Sequence, residues 1–151
     1  MCGIAGFWTR GGLDESARAP LIVAAPGKKA GAVSPRVVEF VDIYPTLTTL
    51  CGLKTPAGME GASLVPLLED PSAPGKRAVF TVVRRQGGLG RAVRTEAHTY
   101  ILWPNGSEQL YDPVKDPKEY VNLAKNAQAA GTLAEMRQVL KDWKAAHPDA
   151  K

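Results

Sequence analysis

The chain has 151 residues, of which 44% are hydrophobic and 23% charged, and its formal net charge is +4. This composition is typical of a globular protein and excludes a disordered or fibrous chain. No apolar run approaches the roughly 20 residues that span a bilayer. The basic residues form no stripe interleaved with aromatic side chains. We therefore expect neither a membrane partner nor a nucleic-acid partner.

The first patterned segment is the apolar run at residues 20–25, which the turn former Pro26-Gly27 follows. A continuous apolar run bounded by turn residues predicts a strand buried on both faces, as in a parallel sheet covered by helices. No parallel partner for this strand is evident within the chain, so we expect its sheet to lie elsewhere.

Helical spacing follows over residues 39–51, where apolar residues recur every three or four positions. Asp42 can cap the first turn, and Gly52 supplies a left-handed stop. A second, short helix is predicted over residues 63–68, with Ser63 as its N-cap.

The only cysteines are Cys2 and Cys51. Two cysteines so far apart form neither a disulfide framework nor a metal-ligand spacing. Cys51 falls on the apolar side of the first predicted helix, which predicts a buried thiol.

The composition changes after a predicted linker that contains Pro71, Pro74 and Gly75. Short segments of β-type residues follow, and Asn105-Gly106 between the last two predicts a hairpin. These segments are residues 78–83, 91–95, 100–103 and 109–111.

The last predicted element is a helix that ends at His147-Pro148. Thr132 and Glu135 have the spacing of a capping box at its start. One apolar stripe runs along it, formed by Leu133, Met136, Leu140 and Trp143. The second half therefore predicts a small antiparallel sheet with one helix packed on a face.

Several runs of residues stand in a specific order: Asp42-Ile43-Tyr44-Pro45-Thr46-Leu47, Gly61-Ala62-Ser63-Leu64, Arg94-Thr95-Glu96, Leu110-Tyr111-Asp112, Asp116-Pro117 and Asn122-Leu123-Ala124. This series resembles the sulfatase family and is most similar to bacterial iduronate-2-sulfatase-like enzymes. The resemblance implies that residues 1–72 are the carboxy-terminal remnant of an α/β domain of alkaline-phosphatase type. Residues 73–151 would be the small α+β subdomain, a four-stranded antiparallel sheet plus a carboxy-terminal helix.

The chemistry implied by the resemblance is hydrolysis of a sulfate ester in a sulfated carbohydrate. In the intact family enzyme, a formylglycine made in a Cys/Ser-x-Pro-x-Arg motif is the nucleophile, and a calcium ion held by carboxylates and an amide neutralises the sulfate. Cys2 is followed by Gly3 and Ile4, so this sequence lacks that motif, and it lacks the paired calcium-binding aspartates. We expect no complete catalytic set, no cofactor in this chain and no turnover by it alone. An intact bacterial member would be periplasmic or extracellular.

Two residues are candidates for substrate binding. Residues 3–10 match the outline of the family's Gly-x-His-Gly-x-Trp segment, and Arg10 stands where the family carries a sulfate-binding Lys. Arginine keeps the charge and can fork onto a sulfate; the alternative is a solvated arginine near a terminus. His98 stands where the family carries an Arg or an aromatic residue, and the alternative for it is a surface histidine.

The first eight residues also resemble the start of class II glutamine amidotransferases such as asparagine synthetase. In that family a terminal Cys attacks glutamine with its own α-amine as base, so Cys2 would be the nucleophile. The later motifs of that family do not follow, since Asn105-Gly106 is succeeded by Ser107 rather than Glu.

Clustered carboxylates at Asp112, Asp116 and Glu119 permit a metal site. The alternative is that the two Asp-Pro pairs form turns, with Asp oxygens bonded to local amides. Three hypotheses of function remain at this point. The chain is the carboxy-terminal part of a sulfatase, a non-catalytic module that complements a separate sulfatase large domain through the faces of residues 20–68, or an amidotransferase.

Overall fold

The structure is a computed structural model that describes residues 21–85 and 87–148. It divides into two compact units, Met1–Lys76 and Arg77–Lys151, which we call the amino-terminal unit and the carboxy-terminal unit. None of the helices in the described ranges is long and apolar enough to cross a bilayer.

The described part of the amino-terminal unit contains two α-helices. A 3-10 helix, Phe40–Asp42, leads directly into helix α1, Ile43–Leu50. Helix α2, Val65–Glu69, is short. Both predicted helices are confirmed, and Gly52 has the left-handed backbone (φ +67°) that ends the first of them. Ser63 is not the N-cap of α2, because that position belongs to Leu64.

The centre of this unit is polar. The Asp42 carboxylate is fully buried and accepts hydrogen bonds from the amides of Glu39 and Ala62, both at 2.9 Å. The ammonium of Lys76 lies 2.7 Å from Asp42 Oδ1 and also contacts Glu39. Burial alone would lower the pKa of Lys76, but its hydrogen bonds to Asp42 and Glu39 raise that pKa above its ordinary value. A buried carboxylate needs such partners, since its desolvation is costly.

A second polar contact joins α1 to the loop before α2. The Thr46 hydroxyl donates to the carbonyl of Asp42 at 2.6 Å and accepts from the Leu64 amide at 2.8 Å. Gly61 allows the loop to approach so closely, because a Cβ there would lie 1.9 Å from the carbonyl oxygen of Val41. The runs 42–47 and 61–64 thus fold against each other through backbone and hydroxyl contacts.

Residues 21–25 belong to no strand among the described residues, and Ile22 is 64% exposed. The expectation that they form a strand of a sheet lying elsewhere stays a prediction. The expectation of a buried thiol is wrong: Cys51 is exposed, since it lies just past the last residue of α1.

The carboxy-terminal unit holds a four-stranded antiparallel sheet in the order β1-β2-β3-β4. The strands are β1 Val79–Arg85, β2 Gly88–Arg94, β3 Thr99–Leu102 and β4 Glu108–Tyr111. The predicted Asn105-Gly106 hairpin is confirmed: Gly106 has φ +81°, and its amide donates to the carbonyl of Trp103 at 3.0 Å.

Helix α3, Ala130–Ala146, packs on one face of this sheet. The core between them is apolar and consists of Val93, Tyr100, Leu110, Leu133, Met136 and Leu140. Trp143 completes the predicted stripe and stacks on Phe80 with ring centroids 4.8 Å apart. The predicted capping box is wrong, because α3 begins before Thr132 and its N-cap is Ala129. Asn126 instead caps the preceding 3-10 turn by accepting from the amide of Gln128.

An ion pair fastens α3 to β4. Arg137 donates from Nε to Glu108 Oε1 at 2.7 Å and from Nη2 to the other carboxylate oxygen, while the hydroxyl of buried Tyr100 also donates to Oε1. The hydrogen bonds from Arg137 and then Tyr100 lower the pKa of Glu108 to about 2. Burial, followed by the hydrogen bond to Glu108, raises the pKa of Tyr100 to about 12. A forked guanidinium–carboxylate pair of this kind is the strongest type of side-chain hydrogen bonding.

Candidate functional site

Of the predicted site residues, Cys2 and Arg10 lie outside the described residues, and His98 is described. His98 is the last residue of the turn that connects β2 to β3, and its side chain is half-buried. The turn is closed by two hydrogen bonds: the Thr95 amide donates to the His98 carbonyl at 2.9 Å, and the His98 amide donates to Thr95 Oγ1 at 3.0 Å. The imidazole therefore projects from a fixed backbone.

A polar cluster lies directly behind this turn. Arg94 and Thr99 pair in register across β2 and β3, and Arg94 Nη1 donates to Thr99 Oγ1 at 3.1 Å. The carboxylate of Glu119 accepts from Thr99 Oγ1 at 2.9 Å and lies 3.4 Å from Arg94 Nη1. Glu119 is buried and has φ +55°, a left-handed conformation that costs a non-glycine residue about 1–3 kcal/mol. The Glu119 carboxylate therefore holds the Arg94 guanidinium close to the start of the turn that contains His98.

The three carboxylates that permitted a metal site have separate roles. Asp112 Oδ1 accepts from the amides of Lys115 and Val114, and the bond from Lys115 is the largest of the contacts that lower the pKa of Asp112. Asp116 accepts from the amide of Val121 at 2.8 Å. The turn-forming alternative is confirmed for these two aspartates. Sequence reasoning missed the role of Glu119, because no local pattern links it to a strand twenty residues earlier.

The described residues do not fit a calcium centre. Within them, no group of three or more His, Cys, Asp or Glu side chains is arranged to hold a metal ion. A guanidinium suits the oxygens of a sulfate or a carboxylate, and Arg94 already contacts the Glu119 carboxylate in this way.

The amino-terminal unit carries an apolar groove that sequence reasoning did not predict. Its enclosed volume is only about 30 Å³, and it opens to solvent. Residues 21–23 and helix α1 supply most of its lining, which consists of Leu21, Ile22, Val23, Ile43, Thr46, Leu47, Leu50 and Leu64. A groove with such a lining is suited to receiving apolar side chains rather than a charged substrate.

Known proteins resemble the chain along most of its length. A family model described as "N-sulphoglucosamine sulphohydrolase, C-terminal" matches residues 5–146. A sulfatase of Formosa agariphila is 32% identical over 139 residues, which are 91% of this chain and 27% of that protein. A delta 4,5-hexuronate-2-O-sulfatase of Bacteroides thetaiotaomicron is 33% identical over 86% of this chain and 29% of its own length. The solved structure of a 2-O GAG sulfatase matches with a TM-score of 0.65 and 33% identity, over 72% of this chain and 25% of that one. The chain thus spans only between a quarter and a third of each of these relatives.

Proposed function

The chain belongs to the family of sulfatase carboxy-terminal regions, and on this premise we propose that it works as the carboxy-terminal part of a sulfuric ester hydrolase. The proposed substrate is a sulfated carbohydrate. A sulfatase α/β domain, of which residues 1–72 would form the last part, supplies the formylglycine nucleophile and the calcium ligands. This chain supplies the small subdomain and anion-binding groups at the edge of the substrate cleft.

The observation that carries this proposal is the uncovered apolar surface of the amino-terminal unit. The buried residues in its described part are Asp42, Pro45, Thr46 and Thr48, so none is a large hydrophobic side chain. Large apolar side chains are exposed instead, and these are Ile22, Val33, Phe40, Val41, Tyr44, Leu53 and Met59. Exposed apolar side chains in this number, beside an apolar groove, support an interface at this unit.

Residues 21–25 indicate what would cover this surface. Leu21, Val23 and Ala25 are half-buried, whereas Ile22 and Ala24 between them are exposed. This alternation is that of a strand with one face packed and one face open. The open face, together with a backbone that pairs with no described strand, suits insertion into the sheet of an α/β domain, which would cover the groove beside α1.

For the substrate, we propose a uronate-containing saccharide sulfated at O2. The relatives above include a hexuronate-2-O-sulfatase, and a uronate adds a carboxylate to the sulfate. Arg94, which Thr99 and Glu119 hold in place, and His98, which directly precedes Thr99, are the residues that would meet this anionic ring. Arg10 keeps the role that the resemblance implies, binding to the sulfate.

A chimera tests the proposal. Residues 5–151 replace the matching carboxy-terminal region of the Formosa agariphila sulfatase, and hydrolysis of an aryl sulfate is measured with calcium present. We expect turnover by the chimera and none by the isolated chain. Ile22→Asp should impair the chimera by placing a charge in the covered surface, whereas Val114→Asp should not, although Val114 is even more exposed in the isolated chain (72% against 64%).

The outcomes separate the alternatives. A folded chimera without turnover would favour the alternative that the chain is a non-catalytic module that complements a separate sulfatase large domain. Clear hydrolysis by the isolated chain would contradict the need for a large domain. Glutaminase activity that Cys2→Ala abolishes would establish the amidotransferase instead. His98→Ala in an active chimera should raise KM for a 2-O-sulfated uronate about tenfold, as expected for the loss of one charge-assisted contact, while His147→Ala at the exposed end of α3 should leave it unchanged.

A further inference from the structure

The hairpin formed by β1 and β2 carries one sign of charge. Residues 79–95 include four arginines and neither Asp nor Glu. The arginines are Arg84, Arg85, Arg91 and Arg94. The segment therefore carries a formal charge of +4, which equals the net charge of the whole chain.

The hairpin extends past the rest of the sheet. Strands β1 and β2 pair over seven residues each, from Val79↔Arg94 to Arg85↔Gly88. Strand β3 covers only the last four residues of β2, Arg91 to Arg94. Gly88, Leu89 and Gly90 therefore pair with β1 alone. At about 3.3 Å per residue, these three residues extend roughly 10 Å beyond the paired part of β3.

Side chains from the β3–β4 turn brace this projecting part. A Cβ at Gly90 would lie 3.0 Å from the Trp103 ring, and one at Gly88 would lie 3.3 Å from Pro104. The two glycines thus let the indole and the proline lie directly against the β2 backbone. Contacts of this kind hold a two-stranded ribbon in one orientation, which a bare hairpin in water does not achieve.

Arg84 stands on this braced arm with its side chain exposed. It forms no ion pair with any residue in the described ranges, whereas Arg77, at the start of the same unit, pairs with Glu135. Arg84 lies opposite Leu89 and Val82 lies opposite Arg91, so the two arginines are diagonal neighbours on one face, about 7–8 Å apart. Arg91 is half-buried and donates from Nη1 to the Leu89 carbonyl.

We propose that the described part of the β1–β2 hairpin around Arg84 and Arg91 is a binding site for an extended sulfated polysaccharide, with Arg84 as its principal contact. The inference rests on the proposed function, since a sulfated carbohydrate chain can carry further sulfates beside the one that is hydrolysed. An exposed guanidinium can donate two parallel hydrogen bonds to two oxygens of a tetrahedral sulfate. A second positive charge one diagonal away favours a repeating polyanion over a single anion.

Nucleic acid is the less suitable polyanion for this arm. Proteins that bind single strands present aromatic rings on which bases stack. Residues 81–95 contain no aromatic residue, and the Trp103 ring lies against Gly90. Binding of a sulfated sugar requires hydrogen-bond donors, which the arginines supply, and does not require aromatic rings for stacking.

The test measures binding of the full chain to heparin, a sulfated glycosaminoglycan, by calorimetry at several salt concentrations. Arg84→Ala should weaken binding about threefold to tenfold and lower the slope of log K against log salt by about one, since one cation–anion contact is lost. Arg84→Glu should weaken it more, and Arg84→Lys should recover only part of the affinity. The matched control is Arg77→Ala, which removes an equal charge outside the hairpin and should leave affinity unchanged. Circular dichroism and a thermal melt check that each variant is folded.

Several results would overturn the proposal. These are affinity unchanged in Arg84→Glu, an equal loss in Arg77→Ala, or binding to a DNA duplex of matched charge as tight as binding to heparin. Absence of heparin binding by the folded chain would also overturn it. Heparin binding does not depend on catalysis, so a chimera without sulfatase activity would not affect the binding result. An active chimera together with a chain that does not bind heparin would contradict the polysaccharide site alone.

Discussion

The two units of this chain fold by different means. In the carboxy-terminal unit, a sheet and a helix enclose an apolar core in which Val93 and Leu110 are completely buried. In the described part of the amino-terminal unit, the completely buried side chain is a carboxylate, that of Asp42, and large apolar residues face solvent. Burial of apolar surface is the main force in folding, so we expect the carboxy-terminal unit to be the more stable of the two in the isolated chain.

This difference lies in the kind of contact that defines each unit. Hydrogen bonds around Asp42 and Thr46 fix the local shape of the amino-terminal unit. Hydrogen bonds of this kind give a defined conformation but little net free energy in water. Under the proposed function, the free energy that holds this shape would come from apolar contacts with an α/β domain.

Removing a core side chain gives the largest expected effect and tests the comparison directly. Leu110→Ala should destabilise the carboxy-terminal unit by about 2–5 kcal/mol, through lost burial and a residual cavity. Ile22→Ala, a similar truncation in the amino-terminal unit, should change the free energy of unfolding of the isolated chain by less than about 0.5 kcal/mol. Denaturant unfolding followed by tryptophan fluorescence measures both. Equal losses in the two variants would mean that the amino-terminal unit also has a core.

Breaking the ion pair between Lys76 and Asp42 gives the next largest expected loss of stability. Lys76→Met leaves the buried Asp42 carboxylate without its cation, and we expect a loss of about 2–3 kcal/mol confined to the amino-terminal unit. Hydrogen exchange at the amides of Glu39 and Ala62, which donate to Asp42, should accelerate accordingly. The neighbouring Arg77→Met breaks an exposed pair with Glu135 and should have little effect. Unchanged exchange in Lys76→Met would show that the two amides alone compensate the buried charge.

The sequence predicted the carboxy-terminal unit well because its signals are local. Alternating strands, the Asn105-Gly106 turn and the stripe that contains Leu133 and Leu140 each depend on neighbouring residues, and they agree with one another. The prediction failed at Cys51, because burial was inferred from apolar spacing although burial needs a covering surface.

The candidate site was predicted only in part. His98 was found from a family motif, but its supports come from positions that no short pattern connects. Glu119 reaches Arg94 and Thr99 from a loop twenty residues away in sequence, and its left-handed backbone has no sequence signature in a glutamate. Cross-strand register and long-range pairing decide such contacts, and a single sequence does not reveal them.

A pH dependence should also distinguish the units. The folded pKa of Glu108 is lowered to about 2, so the stability that it contributes is present above its unfolded pKa of 4.5 and is lost as pH falls from 4.5 towards 2. The pKa of Tyr100 is raised to about 12, so its contribution is lost as pH rises from 10 to 12. Glu108→Gln should remove the acid-side loss and cost about 1–2 kcal/mol at neutral pH, after allowance for the solvent exposure of Arg137.

Thermal melts of the wild-type chain and Glu108→Gln from pH 2 to pH 7 check this. The acid transition should appear in the tryptophan signal of the carboxy-terminal unit. Hydrogen exchange at Ala62, in the other unit, should not follow the same curve. A variant that retains the wild-type acid transition would assign the pH dependence to another carboxylate.

The smallest expected difference comes from two glycines with the same backbone conformation. Gly106 and Gly58 have φ of +81° and +83°, and a Cβ at either would touch nothing within 4 Å. Alanine in this left-handed region costs about 1 kcal/mol where the surrounding structure enforces it. Gly106 lies in the β3–β4 hairpin, whose register the sheet fixes, so Gly106→Ala should lower the unfolding free energy of the carboxy-terminal unit by that amount. At Gly58 the isolated amino-terminal unit can relax, and Gly58→Ala should change nothing until a large domain covers the groove, when the same cost of about 1 kcal/mol should appear as weaker docking. Denaturant unfolding of Gly58→Ala and Gly106→Ala in the isolated chain measures both effects. A loss of unfolding free energy in Gly58→Ala would show that the amino-terminal unit holds its conformation without a partner.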